Sequence, residues 1–93
     1  MQRNRYEMLT DENLIEELRG GDSAITDFIM NKYKPMVRKK ARAMFLLGGE
    51  NEDLIQEGMI GLFKAVTSYQ EEKNTSFSTF AYLCVQRQIY TTI

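Results

Sequence analysis

Histidine is absent from this 93-residue chain and Cys84 is its single thiol, which leaves carboxylates, cations, rings and amides as the side chains able to do chemistry. The segment FSTFAYLCVQRQIY, residues 77–90, sets Phe80, Leu83, Arg87 and Tyr90 at spacings of three, four and three, one face of a helix. Phe77, Ala81, Val85 and Ile89 run down another face at intervals of four. A helix needs only one apolar face to dock on a domain, so the face with an arginine among its rings calls for a second use. Two readings fit it. A second protein layer buries it, the common fate of apolar stripes at helical spacing. Alternatively it is a platform for unpaired nucleic-acid bases. Rings stack on bases for about 1–3 kcal/mol each with little demand for sequence, and arginine meets phosphate or a base edge. Thr79, Gln86 and Gln88 add hydrogen-bonding groups, and the preceding loop adds Lys73 and the hydroxyls of Thr75, Ser76 and Ser78.

A second candidate surface lies in DLIQEGMIGLFKAV, residues 53–66. Leu54, Ile55, Gly58, Leu62, Ala65, Val66 and, beyond the segment, Tyr69 make a core stripe. The opposite face carries Asp53, Gln56, Glu57 and Lys64, with Ile60 in its centre and Met59 and Phe63 toward one edge. Met59 and Phe63 either widen the core stripe, or join Ile60 as apolar anchors inside a ring of charges, the arrangement by which one helix recognises another. Gly58 and Gly61 add weight to close packing, since each glycine costs a helix about 1 kcal/mol relative to alanine.

The elements that must position these faces read as four helices with no strand signal, an all-α helical bundle. The first is expected over Asp11–Arg19, capped by Thr10, with Leu14, Ile15 and Leu18 as its apolar stripe and Gly20-Gly21 as its stop. The second is expected from about Ser23 to Leu47, capped by Asp22 or Ser23 and stopped at Gly48-Gly49. Pro35 should kink or break it. Beyond the proline, Met36, Val37, Ala41, Met44 and Phe45 form the apolar side, and Arg38, Lys39 and Arg42 line the other. The third runs from about Glu52 to Ser68 behind an Asn51 cap. After a polar loop, YQEEKNTS, the fourth starts near Phe77 behind Thr75 or Ser76. It meets no stop signal before Ile93, so the chain is expected to be a fragment of a longer protein.

Composition narrows the function classes. An apolar fraction of 43% supports one core, and the chain has no stretch of about 20 apolar residues of the kind that spans a membrane. No targeting segment is apparent, and the lone cysteine fits a reducing, cytoplasmic setting. Without histidine the usual zinc ligand sets and histidine-based catalysis are excluded, and the carboxylates occupy ordinary helical surface positions, so an enzyme is not expected. The net charge of −1 conceals segregation: residues 1–27 carry −4, 28–47 carry +6, 48–72 carry −5 and the remainder +2. Alternating blocks fit surfaces with different partners, and they also fit solvated helix faces that balance one another. The basic run KYKPMVRKKAR, residues 32–42, would supply the sequence-independent phosphate attraction that nucleic-acid binding needs.

DLIQEGMIGLFKAV followed at this distance by SFSTFAYLCVQRQIYTTI closely resembles region two of bacterial sigma factors, the promoter-recognition subunits of RNA polymerase. The resemblance extends back through KYKPMVRKKAR and LTDENLIEEL, covering nearly the whole chain. It is strongest to alternative factors of the sigma-H (sporulation and stationary-phase) type. It implies one region-two domain over residues 1–93 that binds no cofactor, and a DLIQEG helix docking on the clamp coiled coil of the polymerase β′ subunit through Asp53, Gln56, Glu57, Met59, Ile60 and Phe63. It implies that the next helix recognises and opens the minus-ten promoter element. Phe80 would hold an adenine flipped from the non-template strand, and Arg87 and Tyr90 would meet the upstream, still paired edge. The DNA surface would then comprise Lys73, Ser76, Ser78, Thr79, Phe80, Leu83, Gln86, Arg87 and Tyr90, and the resemblance leaves room for an anti-sigma factor as a further partner. Primary sigma factors carry paired tryptophans where this chain has Leu83 and Cys84, which implies weaker intrinsic melting and stricter promoter choice. Cys84 reads as a packing residue. The family's later regions, including the helix-turn-helix that reads the minus-thirty-five element, are not in this sequence. The competing reading is a helical protein-interaction module that never touches DNA.

Overall fold

The chain is described by a computed structural model over residues 2–44 and 51–92. Among the described residues it forms α1 (Gln2–Glu7), α2 (Asp11–Arg19), α3 (Ala24–Met44), α4 (Asn51–Ser68) and α5 (Phe77–Thr92), with one turn of 3-10 helix at Glu71–Lys73 and no strand. The all-α reading holds, with one helix more than the pattern predicts. At six residues α1 is too short for periodicity to reveal and too short to stand alone. Tertiary contacts hold it. Tyr6 is buried, packs edge-on against Phe28 with ring centroids 5.3 Å apart, and donates its hydroxyl to Asp22 at 2.8 Å.

The Thr10 side chain caps α2, accepting from the Asn13 N–H at 3.1 Å. Leu14 and Ile15 are buried, and the helix ends at Gly20 and Gly21, the latter at φ +123°, a conformation that side chains avoid. Asp11 ties α2 to α3, accepting from Lys32 Nζ at 2.6 Å and from the Tyr33 hydroxyl. Burial raises the pKa of Tyr33, and the Asp11 hydrogen bond raises it further.

No break occurs at Pro35: α3 runs unbroken through it from Ala24 to Met44. The proline lies on the exposed side, and so does Asn31, whose carbonyl loses the helical donor that proline lacks; water can meet that carbonyl. Ile25 and Ile29 on one side of Pro35, and Val37, Ala41 and Met44 on the other, hold both halves against the same core. Phe45 and the expected Gly48-Gly49 stop lie outside the described residues. α4 begins at Asn51, so the expected cap is instead its first helical residue.

The two site-bearing helices form an antiparallel pair. Early in α4, Gly58 faces Val85 and Ile89, whereas Tyr69, just past its end, packs edge-on against Phe77 with centroids 5.5 Å apart. Gly61 is the point of closest approach. A Cβ there would lie 2.7 Å from the Cys84 carbonyl oxygen, 2.8 Å from Gln88 Cβ and 3.0 Å from Val85 Cα. The backbone of α5 therefore fills the space of the missing side chain, as the paired glycines imply. Phe77, Ala81, Val85 and Ile89 are fully buried, as their four-residue spacing predicts. A phenylalanine so buried contributes roughly 1.5–3 kcal/mol relative to exposure. Residues of all five helices share one core.

Candidate docking and nucleic-acid interface

The outer face of α4 is built as the sequence predicts, with a division of labour it does not reveal. Asp53 and Gln56 are exposed, and Ile60 and Phe63 remain 45% and 49% exposed, so both stand outside the core. Met59 differs: it is half-buried and packs against the core, which widens the buried stripe on that edge. Glu57 is half-buried at the other edge and already engaged. Its Oε1 accepts from Gln88 Nε2 at 2.9 Å, while Lys64 Nζ donates to Gln88 Oε1 at 2.9 Å. The hydrogen bond from Gln88, then one from Thr92, holds the Glu57 carboxyl below the usual glutamate range. A groove of about 390 Å³ flanks Ile60, lined by Lys34, Glu52, Ile55, Gln56, Met59 and Ile60 itself. Lys34 enters from α3. The sequence places it in the basic run without assigning it to this face.

On α5 the described residues place Leu83, Arg87 and Tyr90 in solvent, the first and last 44% and 55% exposed. Phe80 is half-buried, and its ring lies 5.7 Å from that of Tyr69, tilted by 52°. It is thus a ring braced against Tyr69. Gln86 is half-buried and Thr79 exposed. The hydroxyls at the helix start are brought together and put to work. Ser76 Oγ accepts from the Thr79 N–H at 3.2 Å, which makes Ser76 the cap, and it lies 3.2 Å from Ser78 Oγ and 3.0 Å from Thr79 Oγ1. Thr75 instead donates its hydroxyl to the Lys73 carbonyl at 3.4 Å. The loop is fixed by the Tyr69 hydroxyl, which donates to the Thr75 carbonyl at 2.5 Å, and by Asn74 in the left-handed conformation. Lys73 is exposed beside it. Cys84 is half-buried and burial pushes its thiol up, the condition of an unreactive packing cysteine.

Tyr82, which the sequence reading passed over, and Lys40, which it placed only within the basic run, lie beside this face. Tyr82 is exposed on the flank of α5 toward α3, where Lys40 Nζ donates to its hydroxyl at 2.7 Å and sits 4.6 Å from its ring centre. With Met36, Lys39 and Ala43 they line a groove of about 320 Å³. The basic run thus serves two sides, Lys34 toward α4 and Lys40 toward α5. A tyrosine next to an exposed leucine was the available signal. Its lysine partner lies 42 residues away, beyond the reach of periodicity. Among the described residues, no three His, Cys, Asp or Glu side chains are grouped to hold a metal, and no helix is long and apolar enough to cross a membrane.

A helical hairpin that carries an apolar island on one helix and a ring-and-arginine face on the other defines a class, and comparison with known proteins names it. Residues 29–93 match the Sigma-70 region 2 family, and the chain belongs to it. It is 48% identical to the RNA polymerase sigma-H factor of Bacillus licheniformis over 91 residues, 98% of this chain and 41% of that one. To the sigma-H factor of Bacillus subtilis (strain 168) it is 47% identical, across 98% of this chain and 42% of the relative. It is 30% identical to a sigma-E factor of Clostridium acetobutylicum over 85% of this chain and 34% of that protein. The chain therefore spans about two fifths of the length of the sigma-H relatives it matches.

Proposed function

We propose that this chain is the polymerase-docking and minus-ten-binding domain of an alternative sigma factor of the sigma-H kind, acting in the cytoplasm with RNA polymerase and catalysing nothing itself. The outer face of α4 docks on the β′ clamp coiled coil, with Ile60 and Phe63 as apolar anchors and Asp53, Gln56 and Lys34 as the charged and polar rim. Met59 supports that face from the core side, and Glu57 borders it while bound to α5. The outer face of α5 takes the non-template strand of the minus-ten element. Phe80 offers its ring to an extruded adenine, which thereby recovers stacking lost on leaving the duplex. Arg87 and Tyr90 face the upstream edge, Leu83 and Gln86 lie beside them, and Lys73, Ser76, Ser78 and Thr79 meet the strand where α5 begins. Lys40, Lys39 and Tyr82 extend this surface with cations and a ring.

The observation that carries this reading is the bracing of Phe80 on Tyr69, with Leu83, Arg87 and Tyr90 exposed along the same face. A protein-interaction module accounts for α4 and leaves this face without a use. The test is fluorescence of a minus-ten non-template oligonucleotide carrying 2-aminopurine in place of its adenines, titrated with the chain bound to polymerase core. A change that Phe80→Ala abolishes, with polymerase binding retained, supports base capture. An unchanged response in the variant refutes it.

A further inference from the structure

The start of α5 lies where a DNA strand would pass, and a helix of 16 residues presents a partial positive charge and free N–H groups there, a ready phosphate site. In this chain the place is taken. The first N–H of the helix, at Phe77, donates to Oε2 of Glu12 at 2.6 Å, a carboxylate brought in from α2 across 65 residues of sequence. The approach is acidic as well. A groove of about 440 Å³ leading to the site is lined, among the described residues, by Thr10, Glu12, Tyr69, Glu71, Asn74, Thr75 and Ser76, two carboxylates with no cation. The adjoining groove adds Glu16 against the single cation Arg19, whose guanidinium donates to the Val66 carbonyl at 3.3 Å.

We propose that Glu12 is a specificity-determining residue. By holding a negative charge at the helix start, it repels a DNA phosphate from that position, so the strand gains little there that is independent of sequence. Binding must then come from bases on the Phe80 face and from Lys73, Arg87 and Lys40 around it. The inference rests on the DNA-reading function proposed above and adds a residue outside the recognition helix. The bond to Phe77 also positions that helix, so the test must separate charge from cap. Glu12→Gln does so, because its amide oxygen still accepts from the Phe77 N–H while the negative charge is gone.

The experiment measures binding of the chain, assembled with polymerase core, to a minus-ten non-template oligonucleotide and to a scrambled one over a range of salt. For Glu12→Gln we expect affinity for the scrambled strand to rise about two- to fivefold, the worth of one charge at a helix end. The salt dependence on that strand should steepen, because repulsion by one carboxylate, strongest at low salt, is gone, and discrimination should fall. Glu71→Gln, at an exposed side chain on the same groove, should shift the scrambled-strand affinity in the same direction without touching the cap. If the parent discriminates and both variants leave slope and discrimination unchanged, the assignment of Glu12 is wrong while the DNA-reading function stands. If the parent does not distinguish the two strands, that function falls and Glu12 has no such role.

Discussion

Gln88 of α5 donates its side-chain amide to Glu57 of α4 at 2.9 Å, so the helix proposed to dock on polymerase and the helix proposed to read DNA share one hydrogen-bonded bridge. The other end of the same amide accepts from Lys64 at 2.9 Å, and its Cβ fills the space at Gly61. Glu57 belongs by sequence to the docking face, yet its carboxylate is spent inside the protein. Glu57→Gln is accordingly expected to weaken polymerase binding far less than Ile60→Asp, in titrations run side by side. Equal losses would mean that Glu57 reaches the partner.

The same bridge sets a pH dependence. The pKa of Glu57 is lowered in the folded state, chiefly by Gln88, so the unfolded chain binds more protons at acid pH. The contribution to stability is complete above the ordinary glutamate value of about 4.3 and is lost as pH falls through the lower folded value. Melting temperature followed from neutral to acid pH should fall less steeply below about pH 4.3 in Glu57→Gln than in the parent. Identical profiles would show that Glu57 is not held by this bridge in solution.

Gly61 carries the close approach of the two helices. Gly61→Ala would place a methyl group 2.7 Å from the Cys84 carbonyl oxygen, which belongs to backbone and cannot swing aside. The overpacking should cost about 1–3 kcal/mol and outweigh the gain of about 1 kcal/mol in helix propensity over most of that range. Gly20→Ala is the control, since its nearest neighbour, the Glu17 carbonyl oxygen at 3.5 Å, is at ordinary contact distance. Thermal unfolding should show a clear loss for Gly61→Ala and a small change for Gly20→Ala. A stabilised Gly61→Ala would contradict the geometry.

Lys40 and Tyr82 join the two flanking elements of the proposed DNA surface. Lys40→Ala should weaken binding of minus-ten and scrambled strands alike and reduce the salt slope by about 0.7, as loss of one phosphate contact on a single strand does. Tyr82→Ala should weaken binding without moving the slope if its ring stacks on a base. Salt titrations of both variants decide this, and an unchanged slope for Lys40→Ala would place the strand elsewhere.

What the sequence reveals here is what repeats with the helical period. The buried faces of α4 and α5 and their exposed counterparts follow from spacing, and the two glycines mark their contact, because the side chains involved lie on single helices. The break expected at Pro35 does not occur, because propensity is local whereas packing on both sides of the proline is not. Phe80 is legible as a ring on the outer face. Its bracing by Tyr69 is not, since that depends on how the loop between α4 and α5 closes. Glu12 at Phe77, Gln88 at Glu57 and Lys40 at Tyr82 escape altogether. Each pairs residues far apart in the chain, and periodicity within one helix says nothing of a partner on another.

The most direct test is titration of this chain with an isolated clamp coiled-coil fragment of bacterial β′, alongside Ile60→Asp. Ile60 is 45% exposed, so the variant should fold, which circular dichroism checks. Saturable binding by the parent, lost in the folded variant, is the expected result and ties the family assignment to the outer face of α4. No binding by a well-folded parent, or undiminished binding by Ile60→Asp, would contradict it.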